Sequence, residues 1–391
     1  MESLVIVGAG LAAAKAVERL RDEGYEGSIT VVGAEPHAPY ERPPLSKDLL
    51  LGRETDPLVL DPRWWAEHDV RLVTGDRATS LDRDGRRVTL DSGERVSYDL
   101  LVLATGAQPR VPDLPGADTA LYLRTREDSA QVLAALEAGG RLVIIGAGWI
   151  GLEVAAAARQ HGVDVVVLEQ ADVPLAGVLG VELAEHLAAL HRSHGVDLRT
   201  GVTVEEVTVR SGRPTGVRTS QGILEADHVL VAVGAVPDVV LAEDSGLEVD
   251  GGIVVDEWFQ THDERVMAIG DVANAWNVTL DDRLRVEHWD NAIRQGRAAA
   301  DVLLGRDTPY DWLPYFFTDQ FEFSMEYVGR SAPDDRLEIH GDLAANRFIA
   351  CWFDRQGLLT AAMNVGIWEV SDTLRAMVGR RVDPAEVAAL G

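Results

Sequence analysis

Short, unbroken apolar runs that end on glycine recur along this chain. Leu4-Val5-Ile6-Val7 is the first, continuous and not alternating, as expected of a strand covered on both faces of a parallel sheet. It stops at Gly8-Ala9-Gly10-Leu11-Ala12-Ala13, and an alanine-rich helix is expected from there to about Leu20. A second strand, Ile29-Thr30-Val31-Val32, leads to Glu35. Strand, tight turn, helix and strand make a βαβ unit whose sheet lies open to a ligand at the strand ends.

The same pattern returns from Arg141. Leu142-Val143-Ile144-Ile145 is the strand, Gly146-Ala147-Gly148-Trp149-Ile150-Gly151 the turn, and Leu152 to His161 the helix. Val165-Val166-Val167-Leu168 follows, with Glu169 at its end. Two later segments also correspond. Tyr98 to Gly106, ending Ala104-Thr105-Gly106, and Ala226 to Gly234 each read acidic residue, strand, glycine. A last strand, Val266-Met267-Ala268-Ile269, ends in Gly270-Asp271. Beyond about Asp311 the pattern becomes aromatic and alternating. Arg336–Gly341 and Arg347–Phe353 read as antiparallel strands, so a smaller third domain is expected.

Each glycine turn predicts a diphosphate site. Gly8 and Gly10 allow a tight turn and close backbone approach, and Ala12 or Ala13 keeps the helix near the strand. Glu35 stands where a carboxylate accepts from ribose hydroxyls. In the second unit Glu169 takes that position, where it would bond a 2′-hydroxyl and repel a 2′-phosphate. Gln170 to Leu190 contains no Lys or Arg, so NADH is expected over NADPH. Glu153, one turn into the helix, is read on position alone as a complement to the helix dipole. Tyr40-Glu41-Arg42-Pro43-Pro44-Leu45-Ser46-Lys47 carries two cations on a proline-stiffened loop. Composition alone makes it a rigid surface loop with solvated basic residues.

Charge narrows the class of partner. The chain of 391 residues has 36 Lys+Arg against 64 Asp+Glu, a net charge of −28, which argues against nucleic acid. Its single cysteine, Cys351, cannot make an internal disulfide, a CxxC pair or a cysteine-rich metal site. The first strand begins by Leu4, leaving no room for a signal peptide, and no apolar run reaches membrane-spanning length. A cytoplasmic protein is expected.

The glycine turns, the Arg42–Lys47 loop, Ala104-Thr105-Gly106, Ile269-Gly270-Asp271 and Glu287-His288-Trp289-Asp290-Asn291 occur in a telling order. Asp319-Gln320-Phe321 and Met325-Glu326-Tyr327-Val328-Gly329 follow them. Over nearly its full length the chain resembles the FAD- and NADH-dependent ferredoxin reductases, the family of putidaredoxin reductase, rhodocoxin reductase and the reductases of aromatic-ring dioxygenases. The resemblance implies an α/β fold with two Rossmann-like domains, glutathione-reductase-like, plus a smaller α+β C-terminal domain. Residues 1–110 and 241–318 would bind FAD, 111–240 NADH, and 319–391 would form the third domain.

It also implies site residues. Gly8, Gly10, Ala12, Glu35, Arg42, Lys47, Ala78, Thr105, Gly106, Arg124, Asp271 and Trp289 match the FAD site of that family. Gly146, Gly148, Ile150, Gly151, Glu153, Glu169 and Gly234 match the nicotinamide cofactor site. Lys47 corresponds to a lysine near the flavin, paired with Glu153; these two are the expected catalytic residues. The implied partner is a 2Fe-2S ferredoxin serving a haem-thiolate monooxygenase or a ring-hydroxylating dioxygenase, with Arg294, Arg297 and Arg330 near its docking face. The sequence departs from the family pattern at Ala34, Gly177 and Phe317, where an acid, an arginine and a tryptophan are common. Three other readings share these turns: a thiol-dependent flavin reductase, an apoptosis-inducing-factor-like signalling flavoprotein, and a reductase of a small acceptor such as a quinone or monodehydroascorbate.

Overall fold

The structure, a computed structural model, describes residues 2–53 and 56–391. Its contacts divide into two units, each built from segments far apart in sequence. One gathers the described residues up to Glu41 with Asp56–Gln108 and Val236–Pro314; the other gathers 42–53 with Pro109–Ala235 and Tyr315–Gly391.

The first unit is organised by the Leu4–Val7 strand, whose four side chains are all buried. It is central in a five-stranded parallel sheet: Leu4 pairs with Ile29 on one side and with Leu100 on the other. The chain thus leaves this strand toward one neighbour and returns later on the opposite side. That is the switch point at whose carboxyl edge open α/β sheets bind ligands. Helix Leu11–Asp22 covers the sheet with Leu11, Ala13, Ala14, Val17 and Leu20, each large apolar side chain so buried contributing roughly 1.5–3 kcal/mol. It runs two residues beyond the expected Leu20, because Arg19 and Arg21 suit the negative end of the dipole. Gly24, at φ +78°, then turns the chain away. Helix Trp289–Leu303 lies against it, closely enough that a Cβ on Gly296 would sit 2.4 Å from the Ala12 carbonyl oxygen.

The second unit repeats the scheme. Arg141–Ile145 lies between Asp164–Leu168 and His228–Val231 in a four-stranded parallel sheet, with Asp197–Arg199 at the edge. Its helix, Trp149–Gln160, begins three residues earlier than the expected Leu152. Glycine is a poor helix former, but Gly151 is held there by packing: a Cβ on it would meet the Gly146 carbonyl oxygen at 2.2 Å. Strands Val204–Arg210, Arg213–Thr219 and Gly222–Glu225 form a small antiparallel sheet in the same unit.

The aromatic, alternating C-terminal segment folds as a five-stranded antiparallel sheet. Its spatial order is Tyr315–Gln320, Phe323–Gly329, Leu359–Val365, Arg347–Phe353, Arg336–Asp342. The last two strands are those expected, paired from Arg336 with Phe353 to Asp342 with Arg347. Cys351 lies on Arg347–Phe353, one strand in from the sheet's edge, buried, and desolvation pushes its thiol up to about 12. A thiol so placed is no nucleophile. Among the described residues no helix is long and apolar enough to cross a membrane.

Candidate active site and dinucleotide cradles

In the first unit the glycines divide their labour. Gly8 has φ +110°, and a Cβ there would overlap the Ala104 carbonyl at 2.0 Å, so this glycine serves the turn. Gly10 has nothing within 4 Å of its Cβ position and opens onto free space. It is also the N-cap of helix Leu11–Asp22, with no side-chain cap and no acidic residue in the first turn. The helix's first N–H groups are therefore not spent on side chains, which is what a diphosphate requires. The turn Gly270–Val272 brings Asp271 to the same helix: a Cβ on Gly270 would stand 3.2 Å from Ala12, and its N–H donates to Gln295 Oε1 at 2.7 Å. Trp289 opens the neighbouring helix. These residues fit a dinucleotide.

Two expected FAD residues of this unit are already engaged. Glu35, half-buried, accepts a short hydrogen bond from the Tyr40 hydroxyl. Thr105 Oγ1 donates to the Asp238 carbonyl at 2.6 Å, and the Asp238 N–H returns a bond to the Gly106 carbonyl at 2.9 Å. Thr105 thus locks the Val236–Asp238 segment and keeps only its lone pairs for another partner. Ala78 is buried at the start of an antiparallel strand, Ala78–Asp82.

The second unit has the matching cradle. Gly146, φ +102°, would place a Cβ 2.5 Å from the Ala232 carbonyl oxygen. Gly148 caps helix Trp149–Gln160 without a side-chain bond, and no acid stands in its first turn. Gly234 has open space at its Cβ position, and its carbonyl accepts from the Arg110 N–H. Ile150 stays 45% exposed at the lip, an apolar side chain left without a cover. Glu169 faces back to the turn, accepting from the N–H of Ala147 at 2.8 Å and of Ala171 at 2.9 Å.

The Arg42–Lys47 loop is not the solvated surface loop that composition suggests. Leu45 and Ser46 are buried within a short 3-10 turn, Pro43–Ser46. The Leu45 carbonyl accepts from Ser129 Oγ at 2.8 Å, which ties the loop to helix Arg126–Ala138. Arg42 donates to the Arg124 carbonyl, so those two expected FAD residues meet. Lys47 reaches Glu153 Oε1 at 2.7 Å, with the two side chains only 15% and 6% exposed.

Glu153 is more than a complement to a dipole. Besides Lys47 it takes Thr318 Oγ1 on Oε1 at 2.6 Å and Ser46 Oγ on Oε2. A buried carboxylate needs such donors, since Coulomb attraction alone repays desolvation only when the remaining lone pairs are satisfied. The match comes from two periodicities. Trp149 and Glu153 sit one turn apart on the helix, and Phe316 and Thr318 share one face of strand Tyr315–Gln320. Trp149 packs on Phe316 and Glu153 bonds Thr318. Thr318 was invisible as a site residue in the sequence. Its only signal was its place beside Asp319-Gln320-Phe321. A cleft of 560 Å³ opens on the pair, lined also by Asp48, Arg53, His194 and Phe321.

Of the three arginines, Arg294 has partners on its own unit. It forms an ion pair with Asp290 at 3.0 Å and stacks on the Trp312 ring, so its charge is largely spent within its own unit. Arg297 and Arg330 are exposed.

Residues 2–296 match the model of the family described as pyridine nucleotide-disulphide oxidoreductase. The rhodocoxin reductase of Rhodococcus erythropolis is 39% identical, the match covering 93% of this chain and 86% of that protein. The ferredoxin–NAD(+) reductase component of the anthranilate 1,2-dioxygenase system of Burkholderia cepacia is 35% identical, over 99% and 97%. Among solved structures, putidaredoxin reductase in its covalent complex with putidaredoxin superposes with a TM-score of 0.94 at 35% identity, covering 99% of this chain and 95% of the other.

Proposed function

Since this chain belongs to the pyridine nucleotide-disulphide oxidoreductase family, we propose that it is an FAD-containing reductase that moves electrons from NADH to a 2Fe-2S ferredoxin. The observation that carries this reading is the buried Lys47–Glu153 pair in a chain whose sole thiol is sealed in a sheet. The disulphide chemistry in the family's description needs an accessible cysteine, and the one cysteine here is buried. The relatives named as ferredoxin reductases support the choice of acceptor. The ferredoxin in turn would serve a haem-thiolate monooxygenase or a ring-hydroxylating dioxygenase, in the cytoplasm.

The chemistry supplied by bound FAD is two-electron uptake from NADH and one-electron release to an iron–sulfur protein. Gly8 would shape the turn, and Gly10 and Ala12 at the helix start would present N–H groups to its diphosphate, with Glu35 on the ribose and Asp271 on the ribityl chain. Ala78, Thr105, Gly106 and Trp289 complete the contacts in that unit. Arg42, Lys47 and Arg124 are assigned to FAD on the family correspondence alone. Gly146, Gly148, Ile150, Gly151 and Gly234 would hold NADH, with Glu169 favouring a free 2′-hydroxyl. Lys47, held by Glu153, would compensate negative charge developing on the reduced cofactor, as preorganised charge does in other sites. Residues 1–110 with 241–318 then serve FAD and 111–240 NADH. The last boundary is best drawn at Tyr315, where the antiparallel sheet begins.

The deciding experiment is NADH-driven cytochrome c reduction with and without added 2Fe-2S ferredoxin. Strong acceleration by the ferredoxin is expected. A rate indifferent to it, with quinone or monodehydroascorbate reduced faster, would overturn the assignment.

A further inference from the structure

His191 is wholly buried, and the mechanism above does not use it. It projects from helix Val181–Ser193, and its Nε2 lies 2.7 Å from Gln320 Oε1. Gln320, 1% exposed, donates from Nε2 to Thr318 Oγ1 at 3.0 Å, and Thr318 donates to Glu153. The other ring nitrogen, Nδ1, is buried and has no hydrogen-bond partner among the described residues. Four side chains from two helices and one strand thus form a single buried row ending on the carboxylate that holds Lys47.

Such a row has a direction, and both ends demand the same one. A hydroxyl has one hydrogen. If Thr318 gives it to the anionic Glu153, it must accept from Gln320, which fixes the amide with Nε2 toward Thr318 and Oε1 toward His191. His191 must then donate from Nε2. At the far end, a proton on Nδ1 would be a buried donor with nothing to receive it, the rarer and costlier kind of orphan. Reversing the row would leave Glu153 without the Thr318 donor and strand an N–H at Nδ1. We propose that His191, Gln320 and Thr318 are a one-way hydrogen-bond relay that positions Glu153 beside Lys47, with His191 locked as the Nε2–H tautomer. Burial also pushes His191 down to about 4, against the raising effect of its bond to Gln320, so it is neutral near pH 7.

None of the three touches the Lys47 ammonium. They are positioning residues, and their effect on turnover rests on the roles proposed above for Lys47 and Glu153. The relay itself does not, and can be tested apart from them. In 15N-histidine-labelled holoenzyme, with His191 assigned by its loss in His191→Gln, proton-detected 15N spectra should show the proton on Nε2. Thr318→Val, close to isosteric, should shift that signal and slow flavin reduction by NADH on the order of tenfold, the value of one hydrogen bond to a charged group, with NADH affinity unchanged. Thr318→Ser should restore both. A proton on Nδ1, or a His191 signal indifferent to Thr318→Val, would overturn the relay. An Nε2 proton that responds to Thr318→Val while the reduction rate stays unchanged would establish the relay and refute the role given to Glu153.

Discussion

The Ala147 N–H and the Glu169 carboxylate are joined at 2.8 Å, so the acid at the end of one strand clasps the glycine turn at the end of another. Glu169 therefore has a task in the apoprotein as well as the one proposed toward the ribose. Glu169→Ala should lower the ratio of kcat/KM for NADH over NADPH about tenfold, by removing repulsion of the 2′-phosphate. It should also lower Tm by several degrees, since the Ala147 N–H loses its acceptor, a loss of about 1–3 kcal/mol. Stopped-flow reduction with each nucleotide checks the first effect, and thermal melts the second. An unchanged ratio would show that Glu169 does not read the 2′ position.

Breaking the buried pair from one side should cost more than removing it. Lys47→Met leaves Glu153 charged with only Ser46 and Thr318 as donors, an expected loss of about 3–5 kcal/mol. Lys47→Met with Glu153→Gln should be more stable than Lys47→Met alone, while both reduce flavin slowly. Urea unfolding of the four proteins in a double-mutant cycle measures the coupling. A double variant less stable than Lys47→Met would contradict the pair as described.

His191 gives the fold an acid limit. Its folded value near 4 lies below the ordinary 6.5, with desolvation first and the neighbouring His194 second in lowering it, and Gln320 opposing. The unfolded chain therefore binds the proton first as pH falls. Stability is whole above about 6.5 and is lost between there and about 4, by on the order of 3 kcal/mol. His191→Gln should flatten this slope in chemical unfolding across that window. Equal slopes would mean that the burial of His191 is not what sets it.

Gly8 and Gly10 should fail differently. Gly8→Ala forces a Cβ onto the Ala104 carbonyl at a positive φ and should cost about 3 kcal/mol or more of stability. Gly10→Ala meets no protein atom and should fold with near-native Tm as apoprotein while losing FAD. Bound flavin per chain, read by absorbance, separates the two. A Gly10→Ala protein that retains flavin normally would refute the cradle.

Arg297 is the exposed cation of its helix, whereas Arg294 is tied to Asp290 and Trp312. Arg297→Glu should raise the KM for ferredoxin several-fold, more at low salt, and leave NADH-driven ferricyanide reduction intact. Equal loss in both assays would exclude a docking role.

Much of this was legible because βαβ units write themselves in short, unbroken apolar runs and glycines at fixed offsets. Leu4–Val7 and the two turns could be read to the residue. The helix start at Trp149 could not, because Gly151 is tolerated by packing against Gly146 and not by propensity. The site was harder. Lys47 and Glu153 are 106 positions apart (153 − 47), and no local pattern links them. Family resemblance supplied that pairing, and the loop's composition alone suggested solvated cations. Thr318 and His191 gave no signal, because a threonine on a strand and a histidine on a helix are ordinary until the strand lies on the first helix and reaches the second.

Strand Arg347–Phe353, paired on both sides within its sheet, keeps Cys351 out of reach of solvent. The one thiol of the chain is thereby shielded from oxidants by its own fold. The same burial makes the residue an internal clock. A thiol reagent can capture Cys351 only when that strand is exposed, so the labelling rate of the unaltered protein counts openings of the five-stranded sheet.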